Sequence, residues 1–213
     1  MSNYSNKQFW NKKFRREKTS WGFEPADSAI FAKDLFLQHD VKNILIPGIG
    51  YGRNAQVFTE NGIEVAGIEI SQAAIDLAHK EVKSNLQIFQ GSVTEMPFEN
   101  HQYDGVFCYA LIHLLNRRQR VKFIRACYAQ TKAGGYMIFT AISVQSSMFT
   151  TGKYLSKNRY KISAGLNVFF YDEHSILSEF GNYGLLDFKR INEPVKHMKD
   201  EPHLKCFMII CQR

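Results

Sequence analysis

Short apolar runs alternate with amphipathic stretches along this chain, the rhythm that a parallel α/β sheet requires. Ile30, Phe31, Leu35 and Phe36 recur at helical spacing after Asp27-Ser28, which predicts a helix to about His39. A strand follows at Asn43–Pro47, then a helix over 53–60 that Asn61-Gly62 stops. Residues 64–70 read as the second strand, and Ser71 caps a helix to about Val82. Strands three and four are predicted at 86–90 and 103–109. Asn116 with Gln119 forms a capping-box pattern for a helix ending near Thr131, after which Gly134-Gly135 turns into a fifth strand at 136–143. Asp172 caps a helix to about Phe180 that Gly184 breaks, and 185–191 and 205–211 are the closing strands.

Two segments carry no such pattern. Residues 1–24 are polar and basic with Phe9, Trp10, Phe14 and Trp21 interleaved, and residues 144–171 hold Phe149, Tyr154, Tyr160, Phe169, Phe170 and Tyr171. A structureless loop of that length in a compact domain is a functional lid or a hidden element. It leaves from the carboxyl edge of the sheet, where doubly wound folds bind ligands. Residues 4–24 and 144–171 are therefore expected to roof a substrate chamber.

The most informative stretch lies between the first two strands. Ile44-Leu45-Ile46-Pro47 runs into Gly48-Ile49-Gly50-Tyr51-Gly52, with glycine at every second position, and the second strand carries Glu69 near its end. Alternate glycines let backbone approach a ligand without Cβ obstruction. An acid about twenty residues on stands where doubly wound folds place a carboxylate against a ribose. This pattern predicts a nucleoside cofactor. Dinucleotide-binding chains usually read G-x-G-x-x-G, and here Arg53 occupies the third glycine's position. A nucleotide-dependent reductase stays open as an alternative, since an arginine at a helix N-terminus also suits a pyrophosphate.

The glycine loop, Glu69, Gly91-Ser92-Val93-Thr94-Glu95-Met96-Pro97-Phe98, Tyr103-Asp104-Gly105-Val106-Phe107-Cys108 and Lys132-Ala133-Gly134-Gly135 come in a telling order. Over roughly residues 40 to 143 the chain resembles class I S-adenosylmethionine-dependent methyltransferases. As a whole it is similar to the small-molecule enzymes grouped near the tellurite-resistance and thiopurine methyltransferases. The resemblance implies an α/β fold: a Rossmann-like, doubly wound seven-stranded sheet with its last strand antiparallel and helices on both faces. It implies S-adenosylmethionine as cofactor and a small-molecule methyl acceptor. By the same resemblance Gly48, Gly50 and Gly52, with Pro47 and Tyr51 of the same loop, line the cofactor's methionine part. Glu69 takes both ribose hydroxyls, as an acceptor-only carboxylate can. Ile70 lies on the adenine face, Ser92 and the Val93 N–H meet the adenine edge, and Cys108 and Tyr109 border the methionine carboxylate and the methyl. Two residues depart from the family pattern: Pro47 and Ser92 stand where acids are common. They leave room for a non-catalytic relative.

Composition adds bounds. The 213 residues fit one domain, with residues 1–40 as an N-terminal extension and helix and 144–171 as a substrate-lid insertion. No run approaches the ~18 apolar residues of a membrane span, and the first residues lack a secretory apolar stretch. Cys108, Cys127, Cys206 and Cys211 form no C-x-x-C pair and read as buried thiols in a reducing cytoplasm. His197 and His203, six apart in a loop, make a poor metal pair, so no metal is expected. The net charge is +7, with basic clusters at 7–18, 117–125 and 153–161. Such a surface suits solubility, an anionic substrate or RNA. An RNA-modifying enzyme is thus an alternative, although Cys108-Tyr109-Ala110-Leu111 stands where base-amino methyltransferases carry an Asn/Asp-Pro-Pro-aromatic segment. A monomer or a homodimer is expected.

A hydroxyl or amine acceptor usually needs a base, whereas a thiol needs none. His113 follows the fourth strand and is the candidate base, although its neighbours Leu111, Leu114 and Leu115 also suit a packing role. Trp10, Trp21 and Tyr171 are the candidate substrate-binding aromatics, the tryptophans serving equally as anchors for the arm.

Overall fold

The computed structural model describes residues 3–82, 86–97, 99–163, 165–193 and 204–213. In chain order its elements are α1 (Asn3–Glu17), α2 (Asp27–Gln38), β1 (Asn43–Pro47), α3 (Ala55–Thr59), β2 (Glu64–Glu69), α4 (Gln72–Glu81), β3 (Gln87–Gln90) and β4 (Tyr103–Cys108). They continue with α5 (Arg117–Gln130), β5 (Thr131–Ile142), β6 (Lys153–Ser156), β7 (Arg159–Lys161), β8 (Asn167–Phe169), α6 (Glu173–Phe180), β9 (Leu185–Glu193) and β10 (Leu204–Gln212).

Seven strands form one sheet in the order β3-β2-β1-β4-β5-β10-β9. The first five run parallel, and β10 lies antiparallel between β5 and β9. β1 and β4 are apolar on both sides because both faces are covered, as parallel strands demand. Their alternate residues feed two cores. Ile44, Ile46 and Phe107 pack with Phe36 of α2 and Phe58 of α3. Leu45, Val106 and Cys108 pack with Phe123, Ile124 and Cys127 of α5 and Phe180 of α6. The strand order brings the ends of β1, β2, β3, β4, β5 and β9 to one carboxyl edge.

Two parts of the expected layout are corrected. Residues 3–17, read only as an extension, form α1. Residues 144–171 are no loop, since β6, β7 and β8 make a three-stranded antiparallel sheet there. β5 also starts at Thr131 rather than at 136, with the Gly134 N–H bonded to the Arg213 carbonyl. The capping box of Asn116 and Gln119 is present at the head of α5.

One polar junction ties α5, α6 and the insertion together. Arg120 donates from Nε and Nη2 to both oxygens of Glu179 at 2.7–3.0 Å and from Nη1 to the Leu115 carbonyl at 3.1 Å. Its guanidinium lies 3.7 Å from the centre of the Phe169 ring. The Tyr171 hydroxyl donates to Glu179 Oε2 at 2.8 Å. Arg120 is buried and Glu179 largely so, which sets this pair at the edge of the core.

Candidate functional site

β1 ends at Pro47, and the next turn places Gly48, Gly50 and Gly52 at φ of +70°, +60° and +80°. Side chains rarely tolerate that region. A Cβ on Gly52 would lie 2.6 Å from Val82, so the loop can pack down on the end of α4 only because the residue is glycine. The Gly48 N–H bonds to the Ile68 carbonyl at 2.7 Å, which fixes the loop to β2. Glu69, the last residue of β2, completes the turn. Its Oε2 accepts the Gly50 N–H at 3.0 Å and its Oε1 the Ser71 N–H at 2.9 Å. Only 6% of Glu69 is exposed. Burial raises its pKa, and the N–H groups of Ser71, Gly50 and Ile70 pull it back. A carboxylate has about four acceptor positions, and its bonds to the Gly50 and Ser71 amides leave acceptor capacity for a ligand.

Around this turn lie the other expected residues. Ile70 is half-buried, and Ser92 and Val93 are buried. The Ser92 hydroxyl accepts the Thr94 N–H at 3.3 Å and lies 2.8 Å from the Thr94 hydroxyl, so it caps the short helical turn Val93–Glu95. At the end of β4, Cys108 is fully buried and burial raises its thiol pKa. Tyr109 follows, with the Arg53 guanidinium 5.5 Å from its ring centre. Ala110 then takes φ +51°, and its N–H bonds to Thr140 Oγ1 at 2.9 Å. A left-handed alanine persists only where its surroundings hold it. Its effect is to turn the chain so that Leu111 packs beside Gly48.

The N-terminal arm closes over the glycine loop. Phe14 is 5% exposed and clusters with Tyr51, Ala74, Trp10 and Trp21. The Trp21 and Tyr51 rings are stacked at 6.3 Å and nearly parallel. The Tyr51 hydroxyl donates to the Gly22 carbonyl at 2.6 Å, and Arg53 Nη1 to the Trp21 carbonyl at 3.1 Å. Asn11 Oδ1 accepts from the Ser71 hydroxyl at 2.9 Å and the Ala73 N–H at 3.1 Å, joining α1 to the head of α4. Ser71 itself caps α4, as its sequence position predicts.

Residues 45–139 match the family model of the methyltransferase domain, and they span the glycine loop, Glu69, Ser92, Cys108 and Tyr109. The order β3-β2-β1-β4-β5-β10-β9, with one reversed strand next to the edge, completes the pattern. This chain is similar to the methyltransferase-domain family over those 95 of its 213 residues. It is 29% identical over 109 residues to a ubiquinone biosynthesis O-methyltransferase of Pseudomonas putida, covering 48% of this chain and 45% of that one. The chain thus spans about half the length of the curated relatives it matches. Among solved structures, the chain superimposes on a 1,6-didemethyltoxoflavin-N1-methyltransferase of Burkholderia thailandensis with bound S-adenosylhomocysteine. That match has a TM-score of 0.71 at 14% identity, over 100% of this chain and 91% of the other. It also superimposes on TehB of Haemophilus influenzae with a TM-score of 0.67 at 14% identity, over 96% and 67% of the two chains.

Three further positions bear on the site. Tyr171, expected at the substrate, is fully buried with its hydroxyl held by Glu179, and it is unavailable to a ligand. His113 Nδ1 accepts the Ile142 N–H at 3.3 Å, and burial lowers the imidazole pKa to about 4. His113 is therefore neutral, with its proton on Nε2, and its ¹⁵N and ¹H resonances should show no titration from about pH 8 down to about pH 5. A depressed folded pKa favours the fold above about pH 6.5, and that contribution is lost as pH falls through about 4. His113→Asn should flatten this acid limb in urea melts; an unchanged limb would show that the imidazole is not its source. Glu193, at the end of β9, escaped the sequence reading. His197 and His203 lie outside the described residues, among which no group of side chains could hold a metal. No helix of the described residues is long and apolar enough to cross a membrane.

Proposed function

We propose that this chain transfers the methyl group of S-adenosylmethionine to a small-molecule acceptor, most simply through oxygen. The observation that carries this reading is the Glu69 carboxylate. It is buried, fixed by the Gly50 and Ser71 amides, and left with acceptor capacity for the two hydroxyls of a ribose. Gly48, Gly50 and Gly52 would let the loop backbone meet the methionine part, with Pro47 and Tyr51 beside it. Ile70, Ser92 and Val93 would flank the adenine, and Cys108 and Tyr109 the end nearest the methyl. Bound there, the sulfonium supplies an activated methyl whose departure leaves a neutral thioether. The chain's own contribution is then orientation and exclusion of water.

The names of the curated relatives, O-methyltransferases, support a hydroxyl acceptor. Residues 1–213 are read as one catalytic unit in which the arm, with Trp10 and Trp21, and the insertion cover the chamber. Four free, buried cysteines support a reducing, cytoplasmic setting.

The test is direct. Calorimetric titration should show binding of S-adenosylmethionine and none of NADPH, and a panel of phenols, amines and thiols should release S-adenosylhomocysteine. Binding of NADPH in place of S-adenosylmethionine would transfer the chain to the reductases.

A further inference from the structure

Glu193 is 2% exposed and sits on the same carboxyl edge as the glycine loop. Its Oε1 accepts the Ser28 N–H at 3.2 Å, in the first turn of α2, whose N-cap residue Ala26 offers no side-chain cap. Among the described residues its Oε2 makes no well-aligned hydrogen bond, and neither does the Ser28 hydroxyl, which lies near enough to lower the Glu193 pKa. Helix capping does not explain this arrangement. A serine or asparagine at position 26 would cap α2 locally, worth about 1 kcal/mol, without burying a charge. An open, buried acceptor costs about 1–3 kcal/mol, and more when charged. A carboxylate kept with one satisfied and one open oxygen is suited to a donor that comes and goes.

Among the described residues, the charged and titratable groups that act on it come from four places in the chain. Asp27 and Ser28 belong to α2, Arg53 follows the glycine loop, Tyr109 follows β4, and Cys206 lies in β10. Burial is the largest influence and raises the Glu193 pKa, as does Asp27, while Ser28 and Arg53 lower it. The balance favours a carboxyl that accepts a proton more readily than a solvent-exposed one. Tyr109 links this group to the methyl-transfer site, because it ends the strand expected to border the transferable methyl.

We propose that Glu193 is the proton acceptor for a hydroxyl substrate, with its open Oε2 receiving the acceptor's O–H; this rests on the methyl-transfer reading above. The acceptor oxygen forms the new C–O bond to the methyl carbon. The C–S bond breaks with its electron pair going to sulfur, and the acceptor proton passes to Oε2 and on to solvent. The products are a methyl ether, S-adenosylhomocysteine and a proton. His113 is less suited to this role, since its Nδ1 is taken by the Ile142 N–H.

The experiment compares the full chain with Glu193→Gln, which retains an oxygen for the Ser28 N–H. Catechol and benzenethiol serve as acceptors, the second being ionised without help at about pH 8. The expected result is a loss of about 100-fold in kcat with catechol, far less with benzenethiol, disappearance of the acid limb of the catechol pH profile, and cofactor affinity unchanged within about two-fold. Catechol turnover within about three-fold of the unaltered chain overturns the proposal, as does an equal loss with both acceptors. If the unaltered chain binds cofactor but methylates only thiols, or neither probe, the proposal also fails while the cofactor reading stands. If the unaltered chain does not bind S-adenosylmethionine, both fail. Should Glu193→Gln not fold, Glu193→Asp decides: a lowered kcat with the acid limb kept supports the proposal, and a flat profile ends it.

Discussion

Glu69→Ala is expected to weaken S-adenosylmethionine binding by about 100-fold or more, from the loss of two hydrogen bonds to a charged acceptor at about 1.5–3 kcal/mol each. The same change strips two buried amides, those of Gly50 and Ser71, of their acceptor. The glycine loop therefore loosens as well, and part of the lost affinity comes from that. Glu69→Gln separates the two effects, because a side-chain amide oxygen can hold one amide but brings no charge. Isothermal titration of both variants checks the order: Ala weakest, Gln intermediate. Alanine binding within about three-fold of the unaltered chain would remove Glu69 from the cofactor site. The sign with pH follows from the raised pKa. Ribose hydroxyls need the ionised acceptor, so binding releases protons and weakens as pH falls toward the ordinary carboxylate range.

The second large effect concerns stability. Arg120→Met should destabilise the fold by about 3–5 kcal/mol, because it leaves the buried Glu179 charge without its partner. For a chain of this size that lowers Tm by roughly 6–20 °C. The Phe169 and Tyr171 rings lose the guanidinium beside them, so the insertion loosens with α5 and α6. The double change Arg120→Met with Glu179→Leu should recover part of the loss, since the apolar pair carries no charge to desolvate, while the Tyr171 hydroxyl is left without its acceptor. Calorimetric melts decide the matter. A single variant melting within about 2 °C of the unaltered chain would show that the pair contributes little.

The sheet was readable in the sequence wherever one physical signal dominated. β1 and β4 are continuous apolar runs because both faces are covered, and Ser71 and Asp172 cap helices by the same local chemistry that marks them in the sequence. The glycine loop and Glu69 stood out for a similar reason, as backbone geometry confines the residue types that can serve there. α1 was hidden because its sequence is mostly polar, and its aromatic contacts are made with Tyr51 and Ala74, far along the chain. β6 was hidden because all four of its residues are exposed, which leaves no alternation to detect. Glu193 was invisible for a different reason. Nothing local distinguishes a surface acid from one that β10 and α2 enclose.

The four cysteines bear on the proposed methyl transfer. Each is buried, and burial holds each thiol protonated, that of Cys206 up to about 12 and that of Cys211 likewise. The nucleophile in sulfur chemistry is the thiolate. An electrophilic donor seated beside Cys108, as proposed, would meet no thiolate from these four cysteines, and the protein would be spared alkylation by its own reagent.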